Sequence, residues 1–182
     1  AMPYEPPPDL AGLSLAEIAA MVEARKLPPL DQWAPEHIDD SHMRIAADGR
    51  WFHEGGEIRR PAMVRAFASL LLCDDDRQHW LVTPTQKLSI EVDDAAFVAT
   101  DVRDDGGALA FRLNTDDLVI AGPDHPIRVA GDPDTPAVYL AVRHGTEARL
   151  NRSTWAQLAE IALAGDGLSV TSQGVTFPLA PA

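Results

Sequence analysis

The sequence predicts an α+β fold made of duplicated antiparallel strand–helix–strand units, with a C-terminal half that is mainly β. Three observations carry that prediction. Apolar and polar residues alternate in short runs, as in Leu88-Ile90-Val92, Leu109-Phe111-Leu113 and Val138-Leu140-Val142, the period-2 pattern of half-buried strands. Turn-forming residues separate these runs, at Asp48-Gly49, at 104–107, at Gly122-Pro123-Asp124 and at Gly174. Finally, two helical stripes match: Val64, Phe67, Leu70 and Leu71 stand beside Trp155, Leu158, Ile161 and Ala162 with one separation for all four pairs. Short hairpin connections leave room for few crossovers, so antiparallel pairing is expected throughout. The expected units are 14–93 and 94–182, the second a barrel-like set of strands around one helix.

Taken in order, residues 3–12 are proline-rich and read as a mobile lead. Ser14 and Glu17 form a capping box. Leu15, Ile18 and Val22 make an apolar stripe, Arg25 and Lys26 fall in the last turn, and Pro28-Pro29 stops the helix, which spans about 14–26. Residues 27–42 read as a long loop anchored by Leu30 and Trp33. A short strand at 43–45 leads through Asp48-Gly49 into a second that places Trp51 and His53 on one face and Phe52 on the other. Gly55-Gly56 ends it. Pro61 suits the first position of a helix, whose residues Met63, Val64, Phe67, Leu70 and Leu71 form a wide stripe, marking it as the central core helix. The acidic run Asp74-Asp75-Asp76 closes it as a solvated turn, lacking the glycine and glutamate of a calcium loop. Strands are expected at 79–82, 87–93, 97–102, 109–113, 118–121, 127–129 and 138–142, with a loop at 131–136 and a turn at His144-Gly145. A helix at about 154–164, capped by Thr154 with Gln157 and closed by Gly165, precedes strands from Leu168 to Val170 and from Val175 to Leu179.

Composition narrows the function. The 182 residues allow one ordinary domain or two small ones, and 46% hydrophobic with 24% charged residues is typical of a globular chain. The net charge is −13, and no Lys/Arg cluster exceeds Arg59-Arg60, which argues against duplex DNA or long RNA as a partner. No apolar run is long enough for a membrane helix. The opening AMPYEPPPDL lacks the basic and apolar pattern of a secretory signal, and Cys73, the one cysteine, forms no internal disulfide; together these favour the cytoplasm.

The best site on physical grounds is the approach to the helix at Pro61. Free amides at a helix N-terminus attract anions. Arg59 and Arg60 precede it, Gly55 and Gly56 permit close backbone approach, and Lys87 joins if its strand pairs near the helix start. Against this stands the ordinary fate of surface arginine, pairing with the plentiful carboxylates. His53 reads either as a base or stacking group or as a half-buried structural residue; no partnered nucleophile lies at a recognisable spacing. His37, Asp39, Asp40 and His42 are metal-ligand types, but in a loop they read as a solvated acidic segment. Cys73, following three leucines at a helix end, reads as buried and inert. No motif calls for a cofactor.

Several motifs follow one another in order: Pro28-Pro29-Leu30, Trp33-x-Pro35, Met43-Arg44-Ile45, Asp48-Gly49-x-Trp51-x-His53-x-Gly55, Ile58-x-Arg60, Met63-Val64-Arg65-x-Phe67, Thr83-Pro84-x-x-Lys87 and Asp94-Ala95-x-Phe97. Together they resemble the bacterial family catalogued as domain of unknown function 1285, over about residues 28–164. His125-Pro126-Ile127-Arg128-Val129 continues the likeness, while Ala96 and Gln86 depart from it. The resemblance implies a duplicated α+β fold whose second half is similar to a pleckstrin-homology-like barrel, and a nucleotide-like ligand bound between the halves in signalling. It brings no catalytic residues. The functional expectation is therefore a module binding a small anionic or nucleotide-like ligand. A protein–protein adaptor is the first alternative and an enzyme using His53 the second.

Overall fold

The computed structural model describes residues 12–180. The proline-rich lead lies, apart from Gly12, outside them. Helix α1 (Leu15–Ala24) starts as its capping box predicts: Glu17 N–H donates to Ser14 Oγ, and Ser14 N–H to the Glu17 carboxylate, both at 3.1 Å. Arg25 is its C-cap rather than a last-turn residue.

A 3₁₀ turn at Leu30–Gln32 leads into the first sheet. Its strands are β1 (His37–Ile45), β2 (Trp51–His53), β3 (Gly56–Ile58), β4 (Leu71–Cys73), β5 (His79–Val82) and β6 (Gln86–Val92), with helix α2 (Pro61–Ala68) between β3 and β4. The second sheet contains β7 (Phe97–Asp104), β8 (Leu109–Leu113), β9 (Leu118–Ile120), β10 (Ile127–Asp132), β11 (Thr135–Ala141) and β12 (Glu147–Leu150). Helix α3 (Arg152–Leu163) and the hairpin β13 (Ser169–Ser172) and β14 (Val175–Pro178) follow.

The first sheet runs β3-β2-β1-β6-β5-β4. The second, read from its β9 end, runs β9-β8-β7-β12-β11-β10. The order is the same with every strand advanced by six, so the duplication is real. Pairing is not antiparallel throughout. Each half is two three-stranded meanders, and the first strand of one lies parallel to the last strand of the other. Thus β1 pairs with β6 (Ile45 opposite Val92) and β7 with β12 (Ala99 opposite Leu150). The helices do not correspond, because α2 follows the third strand of its half and α3 the sixth. The equal spacing of their apolar stripes is therefore not the repeated feature.

Five local expectations are corrected. Much of the supposed loop at 27–42 is strand, since β1 begins at His37. Its first four residues are exposed and show no apolar alternation, and what orders them is the parallel pairing with β6. Residues 131–136 continue β10 and β11 into a hairpin, with Asp132 opposite Thr135. Helix α2 has eight residues with Ala68 its buried one, so it is not a central core helix. Leu71 and Cys73 belong instead to β4, whose backbone is taken up by β5. Helix α3 is capped by Asn151, which accepts from Thr154 N–H at 2.9 Å, and Thr154 lies buried one turn inside. At its other end Gly167, with φ +78°, takes the left-handed position expected of Gly165, and its N–H reaches back to the Ala162 carbonyl.

One core joins the halves. It runs from Ile45, Trp51, Leu71 and Ile90 to Phe97, Phe111, Leu140 and Leu158. Helix α1 adds a smaller cluster in which Leu13 and Ile18 meet Ala110, flanked by Leu118 and Ile120 of β9. It therefore covers the outer face of the second sheet, although its sequence position groups it with the first.

Candidate functional site between the two halves

The turn between β1 and β2 meets the turn between β8 and β9 across the seam. Asn114 Oδ1 accepts from Val98 N–H at 3.0 Å, and its Nδ2 donates to the Gly49 carbonyl at 3.3 Å. Gly49 is required here: its φ is +92°, and a Cβ would stand 2.7 Å from Asn114 Nδ2. Beside this contact lies a cleft of about 270 Å³. The first half contributes Arg50, Trp51, Ile58, Arg59 and Val64, and the second Asn114, Thr115 and Asp116.

Charge in the cleft is unevenly committed. Arg50 pairs with Asp48 at 2.8 Å and with Glu57 at 3.5 Å. Asp116 is held by Arg112 at 2.6 Å. Arg59 is the loose cation, with a side chain 84% exposed and its nearest carboxylate, Glu57, at 3.9 Å. Trp51 lines the cleft, and its buried indole N–H has no acceptor, a rare condition for a buried donor. The start of α2 offers less than the sequence suggests. Pro61 has no N–H, and the Met63 and Val64 amides both donate to the Arg60 carbonyl, which leaves Ala62 as the open donor of the first turn.

The structure disperses the other predicted residues. Arg60 is the exposed N-cap of α2, beside the cleft. Gly55 and Gly56 sit at the far end of β3. There Glu54 and Gly55 make the tight β2–β3 turn with φ of 49° and 85°. Gly55 lines a different hollow, an open groove of about 740 Å³ over β1, β2 and β6. His53 shares the face of Trp51 as expected, but at the exposed end of β2. Lys87 is on β6, with β1 and β2 between it and β3, and its ammonium lies 4.3 Å over the Trp80 ring. It does not join the arginines. His37 and Asp39 approach to 3.7 Å and His42 and Asp40 to 3.9 Å, all well exposed. Among the described residues no group of three or more His, Cys, Asp or Glu is placed to hold a metal ion.

Sequence reasoning missed the polar centre of the seam. Asp117, 3% exposed, receives Arg25 Nε at 2.8 Å, Arg143 Nη2 at 3.5 Å and Arg65 Nη1 at 3.6 Å. Thr115 Oγ1 donates to it at 2.6 Å. Burial raises its pKa, but the charge of Arg143, the Thr115 hydroxyl and Arg25 outweigh that and hold the carboxyl below the usual range. Arg143 itself is lowered by burial and by the charges of Arg25 and Arg65, against the pull of Asp117. Arg143 also donates to the Ala68 carbonyl, while the next residue's carbonyl, His144 O, accepts from Cys73 N–H across the seam. The one available signal was Arg65, a charge set inside the apolar stripe of α2.

Two sheets of one topology, joined by a polar seam with a small cleft, define a duplicated α+β protein. The family models described as the N-terminal domain of "Domain of unknown function (DUF1285)" and the C-terminal domain of "Protein of unknown function (DUF1285)" match residues 28–95 and 96–179. The chain belongs to the DUF1285 family. It is similar to a crystal structure of a DUF1285 family protein from Silicibacter pomeroyi DSS-3, at 41% identity with a TM-score of 0.78, covering 90% of this chain and 94% of that one. A DUF1285 family protein from Shewanella baltica OS155 shares the fold at 24% identity and a TM-score of 0.54, over 65% of this chain and 90% of that one. No curated protein matches the chain. Among the described residues no helix is long and apolar enough to cross a membrane.

Proposed function

We propose that this protein is a binding module that takes a small anionic ligand in the cleft between its two halves, with a signalling rather than a catalytic role. The observation that carries the reading is Arg59, a weakly committed cation at the rim of a cleft shared by both halves. Trp51, a lining residue whose buried indole N–H has no acceptor, adds to it. So does the neighbouring seam, where Arg25 and Arg143 share the Asp117 carboxylate and bias the local field toward anions on an otherwise acidic protein. A volume of about 270 Å³ equals the share of roughly nine liquid waters, which suits a compact carboxylate or phosphorylated metabolite.

The test is a thermal-shift panel of compact carboxylates, phosphorylated metabolites and nucleotides, run on the wild type and on Arg59→Ala/Arg60→Ala. A ligand at 100 times its dissociation constant contributes about 2.7 kcal/mol, a rise of roughly 5–11 °C for a chain this size. A shift in the wild type that the double variant loses supports the reading. A panel flat for the wild type overturns it, and attention then passes to the open groove over β1, β2 and β6, the feature that suits a protein partner.

A further inference from the structure

Three guanidiniums meet at Asp117 from three separate elements: Arg25 from the end of α1, Arg65 from α2 and Arg143 from the β11–β12 turn. Their side chains are only 22%, 21% and 13% exposed. Arg65 is engaged elsewhere as well, donating to the Thr115 carbonyl at 2.6 Å, but Arg25 and Arg143 alone already set two charges against one carboxylate, whose oxygens are shared with the Thr115 hydroxyl. Two guanidinium nitrogens in the cluster, Arg25 Nη2 and Arg143 Nε, are buried without any acceptor. Unsatisfied N–H groups on a charged side chain are among the costlier things to bury. Surplus positive charge and open donors at one place are the two conditions an anion relieves together. Guanidinium forks match the planar edges of oxyanions and bind them in bidentate fashion.

We propose that this cluster is an oxyanion site, distinct from the Arg59 cleft, that takes inorganic phosphate or sulfate between Arg25 and Arg143. Arg143 gives the site an outlet, since it also lines a separate hollow of about 270 Å³ with Arg77, His144 and Thr146 and with two carboxylates, Asp124 and Glu147, the second of which Arg77 holds at 3.1 Å. Both open nitrogens are enclosed by their own neighbours in this structure. Arg25, the most exposed of the three and set at a helix end, is the side chain that swings to admit the ion. Arg25 precedes the residues matched by the family models, which begin at 28. A bound oxyanion therefore fastens α1 to both halves at once, through Arg25 on one side and Arg143 and Arg65 on the other.

The experiment titrates the full chain with sodium phosphate, and with sodium chloride at matched ionic strength, by calorimetry and thermal shift. The proteins are the wild type, Arg25→Gln, Arg59→Ala and Asp117→Asn. Saturable phosphate binding that chloride does not reproduce is expected for the wild type. Arg25→Gln should weaken it at least about tenfold, the loss of one charge-assisted hydrogen bond. Arg59→Ala removes the cation of the cleft and tells the two sites apart: the binding step lost in Arg25→Gln should persist in it. Asp117→Asn removes the competing carboxylate and should tighten it; should that variant not fold, the Arg25→Gln arm decides alone. Equal effects of phosphate and chloride overturn the proposal, as does binding that survives Arg25→Gln intact or weakens in folded Asp117→Asn. Phosphate binding lost in Arg59→Ala but kept in Arg25→Gln also overturns it, while supporting the cleft reading.

Discussion

The two sheets share a strand order and differ in how they are covered. In the second, four of the five residues of β8 are buried, and the outer face of β8 and β9 lies under α1. In the first, β1 opens with four exposed residues and β6 buries one of seven. The outer face of the first sheet holds Phe52 and Trp80, and what covers them is cations of the same face. Arg44 and Arg50 lie 4.9 and 5.5 Å from the Phe52 ring, and Lys87 sits over Trp80. The same topology has thus been used twice, once with both faces protected and once with one. Strand order sets which residues meet; helices and side chains decide how much apolar surface leaves water, and that burial carries stability.

The largest expected effect tests that asymmetry. Phe111, 0% exposed on β8, sits in the core common to both halves. Phe111→Ala should cost about 3–5 kcal/mol by removing a buried ring and leaving a cavity. Urea unfolding measures it as a lower midpoint at unchanged slope. A cost under about 1 kcal/mol would mean that the second half does not carry the shared core.

Next comes the seam that couples the halves. Asp117→Asn keeps the shape of the side chain but leaves three guanidiniums facing one another with little exposure, and should cost about 3 kcal/mol, since a buried pair broken on one side strands its charge. The same group makes stability depend on acidity. Its folded pKa lies below the ordinary value of 3.8, so its contribution is complete above that value and drains away as pH falls through the lower, folded one. Acid unfolding of the wild type should therefore be steeper below pH 3.8 than that of Asp117→Asn. Matching acid profiles would show that Asp117 does not hold the seam.

How far the sequence could be read follows the same divide between local and long-range causes. The Ser14 and Glu17 cap, the Asp48-Gly49 turn and the alternation at Leu109, Phe111 and Leu113 act within a few residues, and each is visible as a pattern. The start of β1 is not, because His37 to Asp40 are ordered by parallel pairing with β6 some 49 positions away (His37 opposite Gln86) and carry no alternation of their own. Leu70 and Leu71 extend a helical stripe in sequence, yet Val82 of β5 takes the Leu70 carbonyl and β5 pairs with Leu71 onward as β4. The site divides likewise. Arg59 at the rim was legible because it adjoins the start of α2 in sequence. The Asp117 cluster was not, since Arg25, Arg65 and Arg143 are separated by whole elements and only the fold brings them together.

The smallest expected effect is the sharpest check on the comparison. Phe52 stands on the outer face of the first sheet, half-buried, with its two guanidinium neighbours as cover. Exposed cation–π contacts contribute about 0.5–1 kcal/mol, and truncating a ring already near water leaves no closed cavity. Phe52→Ala should therefore cost about 1 kcal/mol or less in dilute solution, several times less than Phe111→Ala. Repeating the urea measurement across protein concentrations separates two causes of a larger value. A large cost that grows with concentration would mean that a second copy covers this face, since association makes apparent stability depend on protein concentration. A large cost independent of concentration would mean that the first sheet is as fully packed as the second, and the contrast between the two halves would fall.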